Sequence, residues 1–162
     1  SYLNGGVQEW CRAGFNLETK INYPQATTDA YILDMTDEYI IGYKQIQEQL
    51  TQNTLCIWDV RSLAEYEGHT RLAARAGHIP TAIHCQWLEF IDEQDCIKPK
   101  QQIWHIFREY KINSEIPIVV YCQANRRSAM GYLVARWAGV DAIKCYSGGW
   151  HEWGNLSDTP VA

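Results

Sequence analysis

Apolar positions along the chain follow two rhythms. Residues 118–121 (Ile-Val-Val-Tyr) are apolar throughout, β-branched in the main and preceded by Pro117, which predicts a strand buried on both faces. Residues 55–60 read the same way, and 82–86 and 142–146 predict two further strands. A short edge strand is expected over 28–34 and a brief extended segment over 39–41. Between these stretches the spacing turns helical. Tyr43, Ile46 and Leu50 mark one face of a helix ending near Asn53, and residues 61–67 form a short helical turn. Ile103, Ile106, Phe107 and Tyr110 stripe a second long helix. Ala129, Met130, Leu133, Val134 and Trp137 stripe a third, starting near Arg127. Strands alternating with helices imply an α/β domain, a parallel sheet with helices on both faces.

Cys122 falls where the 118–121 strand hands over to the third helix. In open α/β sheets, ligands bind at that carboxyl edge. A helix start offers unpaired backbone N–H groups and the positive end of the macrodipole. A thiolate there, beside Arg126 and Arg127, is stabilised relative to the thiol, and the same turn suits a sulfur oxyanion or a phosphate. The alternative is a buried cysteine that merely ends a strand. Two consecutive arginines with no acid beside them favour the reactive thiolate.

Composition narrows the remaining classes. At 162 residues with 46% hydrophobic and 20% charged positions, the chain suits a single globular domain with a sizeable core. A net charge of −5 argues against a nucleic-acid or membrane-surface partner, and no apolar run reaches spanning length. The chain opens on Ser1, so a removed leader stays open. Its six cysteines show neither CxxC nor a Cys/His ladder, which predicts no metal, no cofactor and a reducing, cytoplasmic setting. Cys56, Cys85 and Cys145 read as small core residues.

Gly-Gly-x-x-Glu-Trp occurs twice, at residues 5–10 and 148–153. The second copy closes a strand–turn–helix unit; the first has nothing before it to close. The expectation is that residues 1–24 hold the tail of a preceding, similar domain plus a linker (polar and aperiodic over 11–24), and that 25–162 form the catalytic domain.

Four motifs together resemble the rhodanese family: Asp59-x-Arg61-x-x-x-Glu65-Tyr66, Gly77-His78-Ile79-Pro80, the Cys122 loop, and Tyr146-x-Gly148-Gly149-Trp150-x-Glu152-Trp153. The resemblance implies a three-layer α/β sandwich with a mostly parallel five-stranded sheet, and the catalytic C-terminal half of a tandem sulfurtransferase. It implies that Cys122 alternates between thiol and persulfide. A donor such as thiosulfate or 3-mercaptopyruvate would load the sulfur, and cyanide or a thiol acceptor would remove it. Gln123, Ala124, Asn125, Arg126, Arg127 and Ser128 would form the anion-binding loop, with Arg126 more exposed than Arg127, which anchors the loop's end. Rhodanese-like phosphatases and arsenate reductases carry Cys-x5-Arg; here that position is Ser128, which matches the shorter sulfurtransferase loop. A non-catalytic binding or regulatory module is a further alternative, although such modules typically lose the cysteine. Animal members carry a basic residue in place of Glu65 and a different loop sequence, which leaves the donor open.

Asp59, Arg61 and Glu65 support the site, either assisting catalysis or as a structural ion-pair and capping cluster. Trp150 and Trp153 read as core and pocket wall. His78 reads as a bonded turn residue, and His69, His84, His105 and His151 lack ligand spacing. Thr81 stands where glycine commonly follows Gly-His-Ile-Pro, a minor turn variation.

Overall fold

The runs read as buried on both faces do lie at the centre of the sheet. The computed structural model describes residues 2–25 and 37–162. Within it, β1 (Cys56–Asp59), β2 (Ile83–His84), β3 (Ile118–Tyr121) and β4 (Ile143–Cys145) pair in the order β2-β1-β3-β4, all parallel. The described sheet thus has four strands where five were expected. The candidate edge strand over 28–34 lies outside the described residues. Ile40 makes a single parallel bridge to Cys145 at the β4 edge.

Alternate side chains of the strands go to opposite faces, and each face has its own core. Trp58 and Val120 join Phe90, Ile103, Phe107 and Val134 beneath α4 (Lys100–Glu109) and α5 (Arg126–Ala138). Ile57, Val119 and Tyr121 join Ile46, Trp150 and Trp153 beneath α2 (Tyr43–Leu50) and α6 (Gly149–Trp153). Three layers result, as a parallel sheet requires. Trp58 is wholly buried, yet its indole N–H still reaches the Cys85 carbonyl at 2.8 Å. Its ring meets Phe90 and Phe107 edge-on, with centroids 5.2 and 5.5 Å away. Helix α5 comes close to the sheet because residue 131 is glycine. A Cβ there would stand 2.9 Å from Val120 Cγ2 and 3.2 Å from Val60 Cγ1.

Strand β3 matches its apolar run, whereas β1, β2 and β4 are shorter than theirs, because the ladder of inter-strand hydrogen bonds ends before the apolar run does. Three helical pieces depart from the expected pattern, one of them a 3-10 turn over Asp37–Tyr39 that takes Tyr39 out of the extended segment expected over 39–41. Helix α1 (Gly6–Arg12) takes Cys11 and Arg12 out of the expected linker, and a 3-10 turn covers Trp87–Phe90. The sequence signal for α1 was the motif it shares with α6. Residues 61–67 contain α3 (Leu63–Tyr66), capped by Ser62. No helix among the described residues is long and apolar enough to cross a membrane.

The chain runs from β1 to β2 on one side and then to β3 on the other side of β1. The reversal puts a topological switch point beyond the carboxyl ends of β1 and β3, the place where open α/β sheets bind ligands. Cys122 follows β3 directly and Val60 follows β1, the Val60 N–H bonding the Tyr121 carbonyl at 3.1 Å.

Thr81 is more than a minor variation. Its φ of 67° is left-handed, a region that a β-branched side chain enters only at a cost of about 1–2 kcal/mol. Thr81→Gly is expected to raise stability by about 0.5–1 kcal/mol, net of the glycine's greater unfolded-state entropy. Thermal denaturation checks this, and an unchanged or lower Tm contradicts it.

Candidate active site

The site is built on one turn. Cys122 ends β3, Gln123 and Ala124 cross the turn, and Asn125 caps α5 in the left-handed region, with φ 60° and ψ 3°. Asparagine is among the few residues other than glycine that visit this region routinely. Among the described residues, the N–H groups of Gln123, Ala124 and Asn125 donate to no backbone carbonyl. Those of Arg126, Arg127 and Ser128 lie in the first turn of α5, where an intrahelical acceptor is lacking by geometry.

A second turn holds the first in place. The N–H of Trp150 donates to the Cys122 carbonyl at 2.8 Å, and that of His151 to the Gln123 carbonyl at 2.9 Å. In a trans peptide the carbonyl and the following N–H point in opposite directions. Drawing both carbonyls toward α6 therefore aims the N–H groups of Gln123 and Ala124 away from it. Such an approach needs glycine at position 149. Its φ is +56°, and a Cβ would stand 2.4 Å from the Cys122 carbonyl oxygen. The Gln123 side chain adds a tie, its amide N–H2 donating to the Leu72 carbonyl at 3.0 Å.

The two arginines diverge. Arg126 is exposed at the loop rim. Arg127 turns inward and makes a two-pronged pair with Glu65, at 2.6 Å to Oε2 and 2.8 Å to Oε1. Glu65 also accepts from the Ser62 N–H at 3.1 Å and the Ser62 hydroxyl at 2.8 Å, closing a capping box on α3. Burial alone would push the Glu65 carboxyl up. The bonds from Arg127 and Ser62 outweigh it and hold the group at about 2. The Glu65 carboxylate in turn raises Arg127 against its own desolvation, and the Cys122 sulfur acts in the same direction.

Asp59 and Arg61 form a second, fully buried pair beneath the loop. The Arg61 Nη2 donates to Asp59 Oδ2 at 2.7 Å and to the Gly77 carbonyl at 2.8 Å. Its guanidinium lies 4.7 Å from the Trp150 ring and 5.5 Å from the Tyr121 ring. The Trp150 indole N–H donates to the Arg75 carbonyl at 3.1 Å.

Ser128 is wholly buried, with its hydroxyl 3.4 Å from Cys122 Sγ and 2.9 Å from Asn125 Oδ1. Cys56 on β1, Cys145 on β4 and Cys85 just past β2 are buried, and burial pushes each thiol up, Cys145 to about 12. His78 stacks on Tyr66 and bonds its carbonyl, and His84 bonds the Arg61 carbonyl, so both are occupied locally. Among the described residues no three His, Cys, Asp or Glu side chains are grouped to hold a metal ion.

Cys122 and residues 123–128 are thus brought together, with Glu65 joined to them through Arg127. Trp150 touches the turn directly through its backbone N–H, and Arg61, paired with Asp59, lies against its ring. Arg75 is a participant that the sequence does not announce. Its guanidinium donates to the carbonyls of Thr159 at 2.6 Å and Trp153 at 2.7 Å and to Leu156, tying the 68–76 loop to the chain's last segment. No local pattern distinguishes such an arginine from a solvated one.

A thiol heading the turn between a strand and a helix, at the switch point of a parallel sheet, defines a class of small α/β domains built around a strand-end cysteine. Comparison with known proteins names the class: a model of the rhodanese-like domain matches residues 43–156, and the chain belongs to the rhodanese family. It is similar to the thiosulfate sulfurtransferases of Pseudomonas aeruginosa (34% identical) and Azotobacter vinelandii (36% identical). Each match runs over 160 residues and takes in 99% of this chain and 58% of the relative. The chain therefore spans less than two thirds of the length of these relatives. An anaerobic ergothioneine biosynthesis enzyme from Chlorobium limicola, solved in complex with trimethyl histidine, is similar with a TM-score of 0.87 and 25% identity. That match covers 98% of this chain and 40% of the other.

Two outcomes follow from the clamp and the ion pair. Gly149→Ala forces the Cys122 carbonyl to shift and is expected to slow alkylation of Cys122 on the order of tenfold; alkylation at the parent rate contradicts this. Glu65 contributes stability that is fully present above its unfolded value of about 4.3 and is lost as the pH falls toward about 2. Glu65→Gln is expected to cost about 1–2 kcal/mol at neutral pH, moderated because Arg127 is partly solvated. It also flattens the acid limb of stability against pH between about 4.3 and 2, as urea titrations at several pH values would record.

Proposed function

We propose that the domain is a sulfurtransferase that carries a sulfane sulfur on Cys122. The Cys122 thiolate attacks the outer sulfur of thiosulfate, forming an S–S bond as sulfite leaves with the electrons of the broken bond. With 3-mercaptopyruvate the C–S bond breaks, and the departing enolate takes up the donor's thiol proton to become pyruvate. Cyanide or a thiolate then takes the terminal sulfur and Cys122 returns to thiolate, so nucleophilic catalysis divides one transfer into two. The observation that carries this reading is a cysteine heading a turn whose own amides find no backbone acceptor among the described residues while a second turn holds its carbonyls. Such amides suit a negative sulfur or a departing oxyanion.

Arg126 is the loop cation turned to solvent and the better candidate to meet the donor's charge, since Arg127 is engaged by Glu65. Arg127, with Glu65, anchors the end of the loop. Asp59, Arg61 and Trp150 support the turn from beneath. With only about 1% of the residue exposed, Cys122 favours small or slender reactants. The similarity to two thiosulfate sulfurtransferases supports the donor class. The cytoplasm, the reducing compartment expected from the cysteine pattern, suits a thiol that has to stay unpaired.

The domain division is part of the proposal: residues 1–24 as the end of a preceding domain of the same kind plus a linker, and 25–162 as the catalytic domain. Helix α1 repeats the α6 motif, with Gly5 and Gly6 at φ 77° and 60°. The amides of Val7 and Gln8, matching those of Trp150 and His151, find no backbone carbonyl among the described residues. Val7 is 60% exposed. These features suit a helix that closes another copy of the fold.

Intact mass after incubation with thiosulfate or 3-mercaptopyruvate tests the activity. The expected result is a gain of one sulfur atom, removed by reductant and absent from Cys122→Ser. No adduct with either donor would leave a binding module as the reading.

A further inference from the structure

One proton on Ser128 faces two acceptors. The hydroxyl is wholly buried, so no water competes for it, and it lies within reach of both Cys122 Sγ and Asn125 Oδ1. It cannot donate to both at once. Beside a neutral sulfur the amide oxygen is the better acceptor; beside a thiolate the charge-assisted bond is the stronger. Asn125 is only partly buried, so water can take over its oxygen when the hydroxyl turns away. We propose that Ser128 is a positioning residue whose hydroxyl swings from Asn125 to Cys122 Sγ as the sulfur becomes negative. This deepens the sulfurtransferase reading and rests on it for the transfer step.

The consequence falls on sulfur release. An acceptor thiolate attacks the terminal sulfur of the Cys122 persulfide, and a new S–S bond forms on the acceptor. The Sγ–S bond breaks, Sγ keeps the electron pair, and any proton on the terminal sulfur travels with it. No outside oxidant or reductant enters. Sγ is thus a leaving thiolate, and a donor aimed at it speeds departure. During loading, Sγ is instead a nucleophile, whose reactivity a hydrogen bond dulls even as it raises the ionised fraction. The bond therefore acts unequally on the two halves of the cycle. The titratable side chains on elements packed around Cys122 are Tyr121 on β3, Arg126, Arg127, Tyr132 and Arg136 on α5, Lys144 and Cys145 on β4, and His151 and Glu152 on α6, with Glu65 behind Arg127.

The test follows the rate of iodoacetamide alkylation of Cys122 against pH, and separately the rates of sulfur loading and release. Ser128→Ala is expected to move the alkylation inflection up by about one pH unit, tenfold in the thiol–thiolate equilibrium. It should slow release to a thiol acceptor about tenfold, while loading above the inflection is not slowed; Ser128→Thr should restore both. Asn125→Gly keeps the left-handed cap but removes the competing oxygen, so its inflection should move down. That arm decides the matter even if Ser128→Ala fails to fold. An unmoved inflection and unchanged release in Ser128→Ala, or an inflection that stays or rises in Asn125→Gly, overturns the proposal. If the parent chain accepts no sulfur, the transfer reading falls, and the alkylation inflections still decide what the hydroxyl does.

Discussion

Two carbonyl oxygens, those of Cys122 and Gln123, are held by the first amides of α6, and the working shape of the cysteine turn depends on that hold. Because a peptide plane is rigid, fixing one side of each peptide fixes the other. The turn does not have to organise itself around a substrate; its donors are already oriented by a neighbouring turn. The cost is a glycine in a left-handed conformation at position 149, close against the Cys122 carbonyl. The motif near the end of the chain and the cysteine loop are thus one structural unit, although Gly148 lies 26 positions after Cys122 in the sequence.

Electrostatics divides the charges near the loop by depth. Arg61 and Asp59 satisfy one another in the interior, where an unpaired charge would be strongly destabilising, and the guanidinium fills the space between Trp150 and Tyr121. Arg127 and Glu65 do the same nearer the surface and bind α3 to the start of α5. Only Arg126 among these keeps its charge at the rim. The local positive field on an acidic molecule is therefore smaller than two adjacent arginines suggest. Its focus is narrow, which suits small anions better than an extended polyanion.

Much of this was legible in the residues. The parallel sheet and the position of Cys122 between strand and helix follow from local pattern, whereas the separate fates of Arg126 and Arg127 were expected only through the resemblance to the family's loop, since two adjacent arginines look alike in the sequence. A β-branched run can be buried only in a few ways, and a helical stripe shows where its helix starts. The role of α1 as a helix was visible only as a repeated motif, and Thr81 looked like an ordinary turn residue, since φ is not written in side-chain type.

What the sequence by itself determined is the alternation of elements, the two faces of the core and the residue that heads the loop. These depend on periodicity and on the few backbone forms open to each residue type. Only the tertiary structure decided that Glu65 would meet Arg127 across 62 positions, that α6 would clamp the cysteine turn, and that Ser128 would face both Asn125 and Cys122. Hydrogen bonds are short and directional, so partners distant in the chain are chosen by where the packed layers bring them. No local pattern carries that information.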